Sequence, residues 1–184
     1  MSYCGDKVLI RAIDESDIPL INKWSNDSEL WDMLGGWHFP YSMKNTIKWF
    51  ESLDCNDCKN QIFALSDKKT NDLIGTINLS QIDWKNKNAI YGIMLGSIDK
   101  RGQGFGYDAV QIIMKYSFEE LGLNRLDTDV IEYNKRSLDF HINKCGWLEE
   151  GRRTNWFYRK GQYWDKVLLG ITHDRFKEFT NGSK

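Results

Sequence analysis

The chain has 184 residues, with 25 Lys and Arg against 26 Asp and Glu and a formal net charge of −1. That balance gives no global basic field, which excludes tight electrostatic binding to nucleic acid or to an anionic membrane as the main function. No apolar run approaches the ~20 residues of a membrane span, and Met1 to Lys7 lacks the apolar stretch of a secretory signal. A cytoplasmic chain of one ordinary-sized domain is expected, its core running from about residue 8 to residue 171.

Four cysteines, Cys4, Cys55, Cys58 and Cys145, are too few for a disulfide framework in a chain of this length and are expected as free thiols. Cys55 and Cys58 have the spacing of a zinc knuckle or a redox dithiol, but zinc needs two further ligands at similar spacing. None is close in sequence, so no metal is expected.

Taken in chain order, Val8-Leu9-Ile10 predicts a short strand, and Asp14 to Asp17 supplies capping side chains for a helix through Leu20, Ile21 and Trp24. Ser42 opens a second helix, with Met43, Ile47 and Phe50 spaced along one face. Three strands follow, Gln61 to Leu65, Leu73 to Leu79 and Ala89 to Leu95, and the polar segments between them predict antiparallel hairpins. Apolar positions from Tyr107 to Leu121 repeat at helical spacing up to a capping Gly122. Leu126 to Ile131 reads as a strand, and Leu138, Ile142 and Cys145 mark one face of a short helix ending at Gly146. Strand, helix, strand, helix in succession implies one parallel pairing. Arg152 to Ile171 reads as a final hairpin about Lys160-Gly161. The fold class is therefore mixed α/β, with a largely antiparallel sheet flanked by about four helices.

The sharpest local feature is Asp99-Lys-Arg-Gly-Gln-Gly-Phe-Gly106, between the end of a strand and the start of the longest helix. The first N–H groups of a helix lack internal partners and sit at the positive end of its dipole. A glycine turn leading into them lets phosphate oxygens approach the backbone. The glycines fall at i, i+2 and i+4, which fits neither a dinucleotide fingerprint nor a nucleoside-triphosphatase loop. A plain flexible connection is the competing reading.

Arg101-x-x-Gly104-x-Gly106 in this setting resembles the pyrophosphate-binding signature of the GNAT superfamily of acyl-CoA-dependent N-acyltransferases. Asn134-x-x-Ser137, Lys144-Cys-Gly-Trp147 and Glu149-Glu-Gly151 are similar to later landmarks of that family in the same order. Arg153 and Gly161-Gln-Tyr-Trp-Asp165 resemble the ending of its ribosomal-protein and spermidine N-acetyltransferase branch. The likeness covers roughly Val8 to Leu169. It implies a sheet split near its middle and acetyl-CoA as co-substrate, with the diphosphate on the backbone of Arg101, Gly102, Gln103, Gly104, Phe105, Gly106 and Tyr107. It further implies that Met94, Leu95 and Gly96 part from their parallel neighbour to bind the pantetheine arm. Asn134 and Ser137 are either cofactor contacts or helix-capping residues.

The same resemblance implies direct attack of a primary amine on a thioester, which needs a neutral amine, a stabilised oxyanion and a proton for the leaving thiolate. The position where relatives carry a tyrosine acid is Ile142, and the position of their usual glutamate base is Tyr91. His141, Tyr91 and Tyr133 are the remaining candidates for proton transfer, each with a structural alternative as a packed side chain. The acceptor, a small-molecule amine or a protein N-terminus, is implied to sit among the first two helices and the final hairpin. Glu29, Trp31, Trp37, Trp156 and Asp165 are the candidates there, with Trp24, Tyr41 and Tyr158 nearby. A homodimer is compatible with the resemblance. Two other readings stay open: a non-catalytic acyl-CoA-binding module, suggested by Ile142, and a nucleotide-binding domain.

Overall fold

The computed structural model describes residues 3–36 and 39–182. Among them, eight strands form one sheet: β1 (Tyr3–Cys4), β2 (Val8–Arg11), β3 (Gln61–Asp67), β4 (Leu73–Asp83), β5 (Asn88–Leu95), β6 (Arg125–Ile131), β7 (Leu148–Arg159) and β8 (Gln162–Thr172). Their spatial order is β1-β2-β3-β4-β5-β6-β8-β7. Every neighbouring pair is antiparallel except β5 and β6. The helices are α1 (Ile18–Trp24), α2 (Ser28–Met33), α3 (Met43–Glu51), α4 (Phe105–Lys115), α5 (Lys135–Asp139) and α6 (His173–Gly182), with π turns continuing α4 over Tyr116–Glu120 and α5 over Phe140–Lys144. The mixed α/β sheet with its one parallel pair agrees with the sequence reading. Strand β1 and helices α2 and α6 were not foreseen; α2 has six residues, too few for a periodic signal to emerge.

Local chemistry explains the boundaries. Ser42 caps α3 by accepting from the Asn45 amide at 3.2 Å, and Asp27 caps α2 through the Glu29 and Leu30 amides. Lys160 and Gly161 both have positive φ, 53° and 78°, which gives the two-residue turn whose twist matches the β7–β8 hairpin.

Two apolar clusters pack against the sheet. The larger contains Ala109, Val110, Ile113 and Met114 of α4 with Phe118, and packs them on Leu79, Tyr91, Leu126, Val130 and Trp147. The smaller joins Ile21 and Trp24 of α1 and Leu30 of α2 to Ala64 and Leu73. Helix α3 departs from its expected orientation. Met43 and Ile47 are 43% and 42% exposed, while Thr46 is buried and Trp49 packs toward the smaller cluster. The Asn22 amide donates to the Thr46 hydroxyl at 2.7 Å, so a polar contact with α1 sets which side of α3 faces inward.

The start of α4 is fastened to the start of β2. The Asp108 carboxylate accepts from the backbone amides of Asp6, Lys7 and Val8 at 3.1, 2.8 and 2.9 Å, and Lys7 Nζ donates to the Gln103 carbonyl at 2.6 Å. A Cβ at Gly5 would fall on the Asp108 carboxylate, which accounts for glycine there. Charge-assisted bonds to backbone amides are among the stronger ones. Asp108→Ala is therefore expected to lower unfolding free energy by about 2 kcal/mol, read from urea denaturation at pH 7; an unchanged midpoint and slope would refute this role.

Candidate active site

Strands β5 and β6 pair only over Asn88 to Ile90 and Arg125 to Asp127, after which they part. Each is held by its outer neighbour: β5 stays registered with β4 as far as Leu95, and β6 with β8 through Ile131. Beyond the strand end, the Gly96 and Ser97 amides both donate to the Ile74 carbonyl of β4. The parting opens a cleft of about 810 Å³ between Tyr91–Leu95 on one wall and Thr128–Ile131 on the other. The glycine turn, α5, and Leu30, Met33, Leu34 and Gly35 of α2 and the loop after it complete its lining.

The three glycines of the turn differ in purpose. Gly102 and Gly104 have φ of 79° and 88°, the left-handed region where a Cβ is strained. Gly106 is helical, and a Cβ there would come within 3.2 Å of the Leu95 side chain, so it lets α4 approach the end of β5. The Arg101 guanidinium does not face outward; its Nε and Nη2 donate to the Leu95 carbonyl at 3.1 and 2.8 Å. Arg136 extends over Gly102, and Lys144 also lines the cleft. Open backbone with cations at its edge fits a diphosphate.

The expected cofactor residues divide. Met94, Leu95, Arg101, Gly102, Gly104, Gly106, Tyr107, Asn134 and Ser137 line the cleft. Gly96, Gln103 and Phe105 do not: Gly96 lies beneath the Trp24 indole, Gln103 bonds back to the Asp99 carbonyl, and Phe105 is buried in the larger cluster. Asn134 caps α5 by accepting from the Ser137 amide at 3.1 Å, and its amide nitrogen donates to the Met33 carbonyl at 3.3 Å.

Of the proton-transfer candidates, His141 and Tyr91 meet and Tyr133 stands apart. The Tyr91 and His141 rings are 5.8 Å apart, and each lies within 5.6 Å of the Trp147 indole. Both line the cleft and are nearly fully buried, at 2% and 4% exposure. The Tyr91 hydroxyl, His141 Nε2 and Trp147 Nε1 form no hydrogen bond among the described residues. In a π turn backbone bonds run to the fifth residue, and the imidazole Nδ1 lies 2.8 Å from the Ser137 carbonyl. A carbonyl can only accept, so Nδ1 carries the proton and Nε2 presents a lone pair. Burial pulls the His141 pKa down to about 4, opposed by the bond to Ser137, and pushes the Tyr91 phenol well above its ordinary value. Tyr133 instead donates to the Asp32 carbonyl and packs edge-on against Trp164.

The expected acceptor residues are dispersed. Trp31 lines a smaller cavity beside the cleft. Glu29 is exposed on α2, and Trp156 is 51% exposed beneath Arg153 and Lys166. Asp165 accepts from the Asn155 amide at 3.0 Å, which holds a left-handed bulge in β7 at φ 53°. Trp37 lies outside the described residues. The sequence reading missed Asp129, which lines the cleft from β6 and pairs with Lys166 at 2.6 Å. Its alternation with Thr128 and Val130 was legible, but its position at the parting of two strands was not.

A buried histidine that stays neutral in the folded chain and charges in the unfolded one makes stability depend on pH. The unfolded chain binds the extra proton below about 6.5 and the folded one only near 4. Stability is therefore lost as pH falls through that window, by about 3 kcal/mol from this residue. Urea unfolding at pH 7, 5.5 and 4.5 should show this loss, and His141→Phe should flatten that part of the profile. Equal slopes for both proteins would refute the assignment.

Residues 7–147 match the family model for the acetyltransferase (GNAT) domain. The chain is 28% identical over 177 residues to the SPbeta prophage-derived uncharacterized N-acetyltransferase YokL of Bacillus subtilis, covering 95% of each. It is 23% identical over 172 residues to the spermidine N(1)-acetyltransferase of Vibrio cholerae, covering 94% of this chain and 96% of the relative. The crystal structure of the Vibrio cholerae spermidine N-acetyltransferase in complex with CoA and spermine superposes with a TM-score of 0.81 at 23% identity, over 92% of this chain and 98% of that one. With the family model spanning most of the sequence and the same fold in the neighbour, the chain belongs to the GNAT family of acetyl-CoA-dependent N-acetyltransferases.

Proposed function

We propose that the protein moves the acetyl group of acetyl-CoA to a primary amine by direct attack in a ternary complex. The observation that carries this reading is the parting of β5 and β6, which opens one cleft reaching from the glycine turn to helix α2. When bound, acetyl-CoA supplies an activated thioester. The backbone of residues 101–107, with Arg136 and Lys144 at its edge, would hold the diphosphate. The unpaired strand edge from Gly92 to Met94 would receive the arm, while Arg101 already satisfies the Leu95 carbonyl.

The buried aromatic cluster supplies the proton chemistry in this reading. With a pKa of about 4, His141 holds no acidic proton at neutral pH; it acts as a fixed acceptor through Nε2 and does not protonate the thiolate. The Tyr91 hydroxyl is an unpaired donor in the same cluster, and this reading assigns to it the thiolate protonation for which Ile142 has no hydroxyl. Tyr133, engaged with Asp32, has no part in it.

Calorimetric titration with acetyl-CoA, followed by thiol release against a panel of primary amines, tests the function as a whole. Binding with release is expected. Binding with no release from any amine would favour the non-catalytic acyl-CoA module, and no binding would overturn both.

Two variants test the parts. Gly104→Val places a β-branched residue at φ 88°, which costs about 1–2 kcal/mol of stability. It should weaken acetyl-CoA binding at least tenfold in a protein that is still folded; normal affinity would sink the diphosphate assignment. Tyr91→Phe removes a hydroxyl that has no partner to lose, so the unfolding free energy should change by less than about 1 kcal/mol. Its kcat should nevertheless fall roughly 100-fold with KM for acetyl-CoA unchanged, and an unaltered kcat would remove Tyr91 from the mechanism.

A further inference from the structure

A second cavity, of about 270 Å³, lies on the α1–α3 side of the sheet and meets the cleft at Leu34 and Met94. Trp24, Trp31, Trp49 and Tyr41 wall it, with Ile62 and Met94 beneath. None of the described residues lining it carries a formal charge. Three nearby carboxylates are engaged, Asp17 with Arg11 at 2.7 Å, Asp32 with Lys160 at 3.3 Å and Asp129 with Lys166 at 2.6 Å, and Glu29 is exposed on α2, outside the cavity lining.

We propose that this cavity selects an acceptor whose primary amine is carried on an apolar ring, an arylalkylamine in chemical class, and discriminates against polyamines. This rests on reading the cleft as an acetyl-transfer site and adds what that site accepts. A volume at the small end of ligand pockets suits one ring system better than a long flexible chain. Burying a phenyl-sized group in such walls improves affinity roughly 10- to 100-fold. A polyamine would bring further ammonium groups that lose their water here without an anion in return. Ring faces compensate a cation only when they are open to it. The Trp24 indole packs one face on Gly96, so closely that a Cβ there would fall inside it, which leaves only its other face to the cavity. Because the cavity and the cleft share Leu34 and Met94 in their walls, a short alkyl arm passing these residues would carry the amine from the ring to the place where the strands part.

The test compares 2-phenylethylamine with spermidine, by acetyl-CoA thiol release and by saturation-transfer NMR in the presence of CoA. The ring amine should show kcat/KM at least 30-fold above spermidine, with saturation transferred to its phenyl protons. Thr76→Phe, which fills the cavity from the β4 side, should lower both signals at least tenfold, with acetyl-CoA titration reporting that the variant is folded. Spermidine turned over as well as or better than the ring amine would overturn the proposal and leave acetyl transfer standing. A phenyl signal absent from the wild type, or unaffected by Thr76→Phe, would overturn it as well. Phenyl saturation transfer lost in Thr76→Phe, with no thiol released from any amine, would support the cavity assignment while removing the catalytic reading on which its role rests.

Discussion

A strand in the middle of a sheet must find partners for its backbone groups on both sides, and β5 does so on its β6 side for only three residues. The outer pairings set this geometry. β4 follows β5 to Leu95, and Gly75 brings the β4 backbone so near the Met94 carbonyl that no side chain fits between them. β6 is held equally firmly by β8. Each inner strand follows its antiparallel neighbour, and the two halves of the sheet separate between them. The cleft, the placement of the glycine turn at its end and the access from the opposite face all depend on that separation.

Around the opening, side chains are spent on holding backbone in place. Arg101, the only charged residue of the glycine signature, turns back to the Leu95 carbonyl. Lys7 and Asp108 tie the turn and the first turn of α4 to the beginning of the chain. Tyr133 and Asn134 grip the Asp32 and Met33 carbonyls at the end of α2, joining that helix to the far wall of the cleft. Groups with an obvious functional look in the sequence thus serve to position the backbone that a cofactor would meet. Three of the buried polar atoms that form no hydrogen bond among the described residues, the Tyr91 hydroxyl, His141 Nε2 and Trp147 Nε1, belong to one aromatic cluster beside the cleft.

Burial changes the chemistry of that cluster. A histidine in water suits either acid or base work near neutral pH, but His141 has lost its solvation and its Nδ1 proton is committed to Ser137. Cys145, in the same region, is buried with its thiol pushed up to about 12, which makes it an inert packing residue. The aromatic cluster is therefore uncharged at neutral pH, while the cations and carboxylates of the cleft, Arg101, Arg136, Lys144, Asp129 and Asp139, lie elsewhere in its lining.

The sequence alone determined the order and type of the main elements, because alternating strands and the α4 repeat carry strong periodic signals, and it placed the glycine turn at a helix start, because capping and turn chemistry are local. The motif order from Arg101 to Asp165 pointed to the family for the same reason. Long-range packing decided the rest. Which side of α3 faces inward depended on Asn22 meeting Thr46, the fate of Asp165 on a bulge ten residues away, and the meeting of Tyr91 with His141 on two elements fifty residues apart. The loss of the His141 charge follows from desolvation, and the uncharged lining of the aromatic cavity from which side chains the packing of α1, α2 and α3 brings together, both of which exist only once the chain has folded.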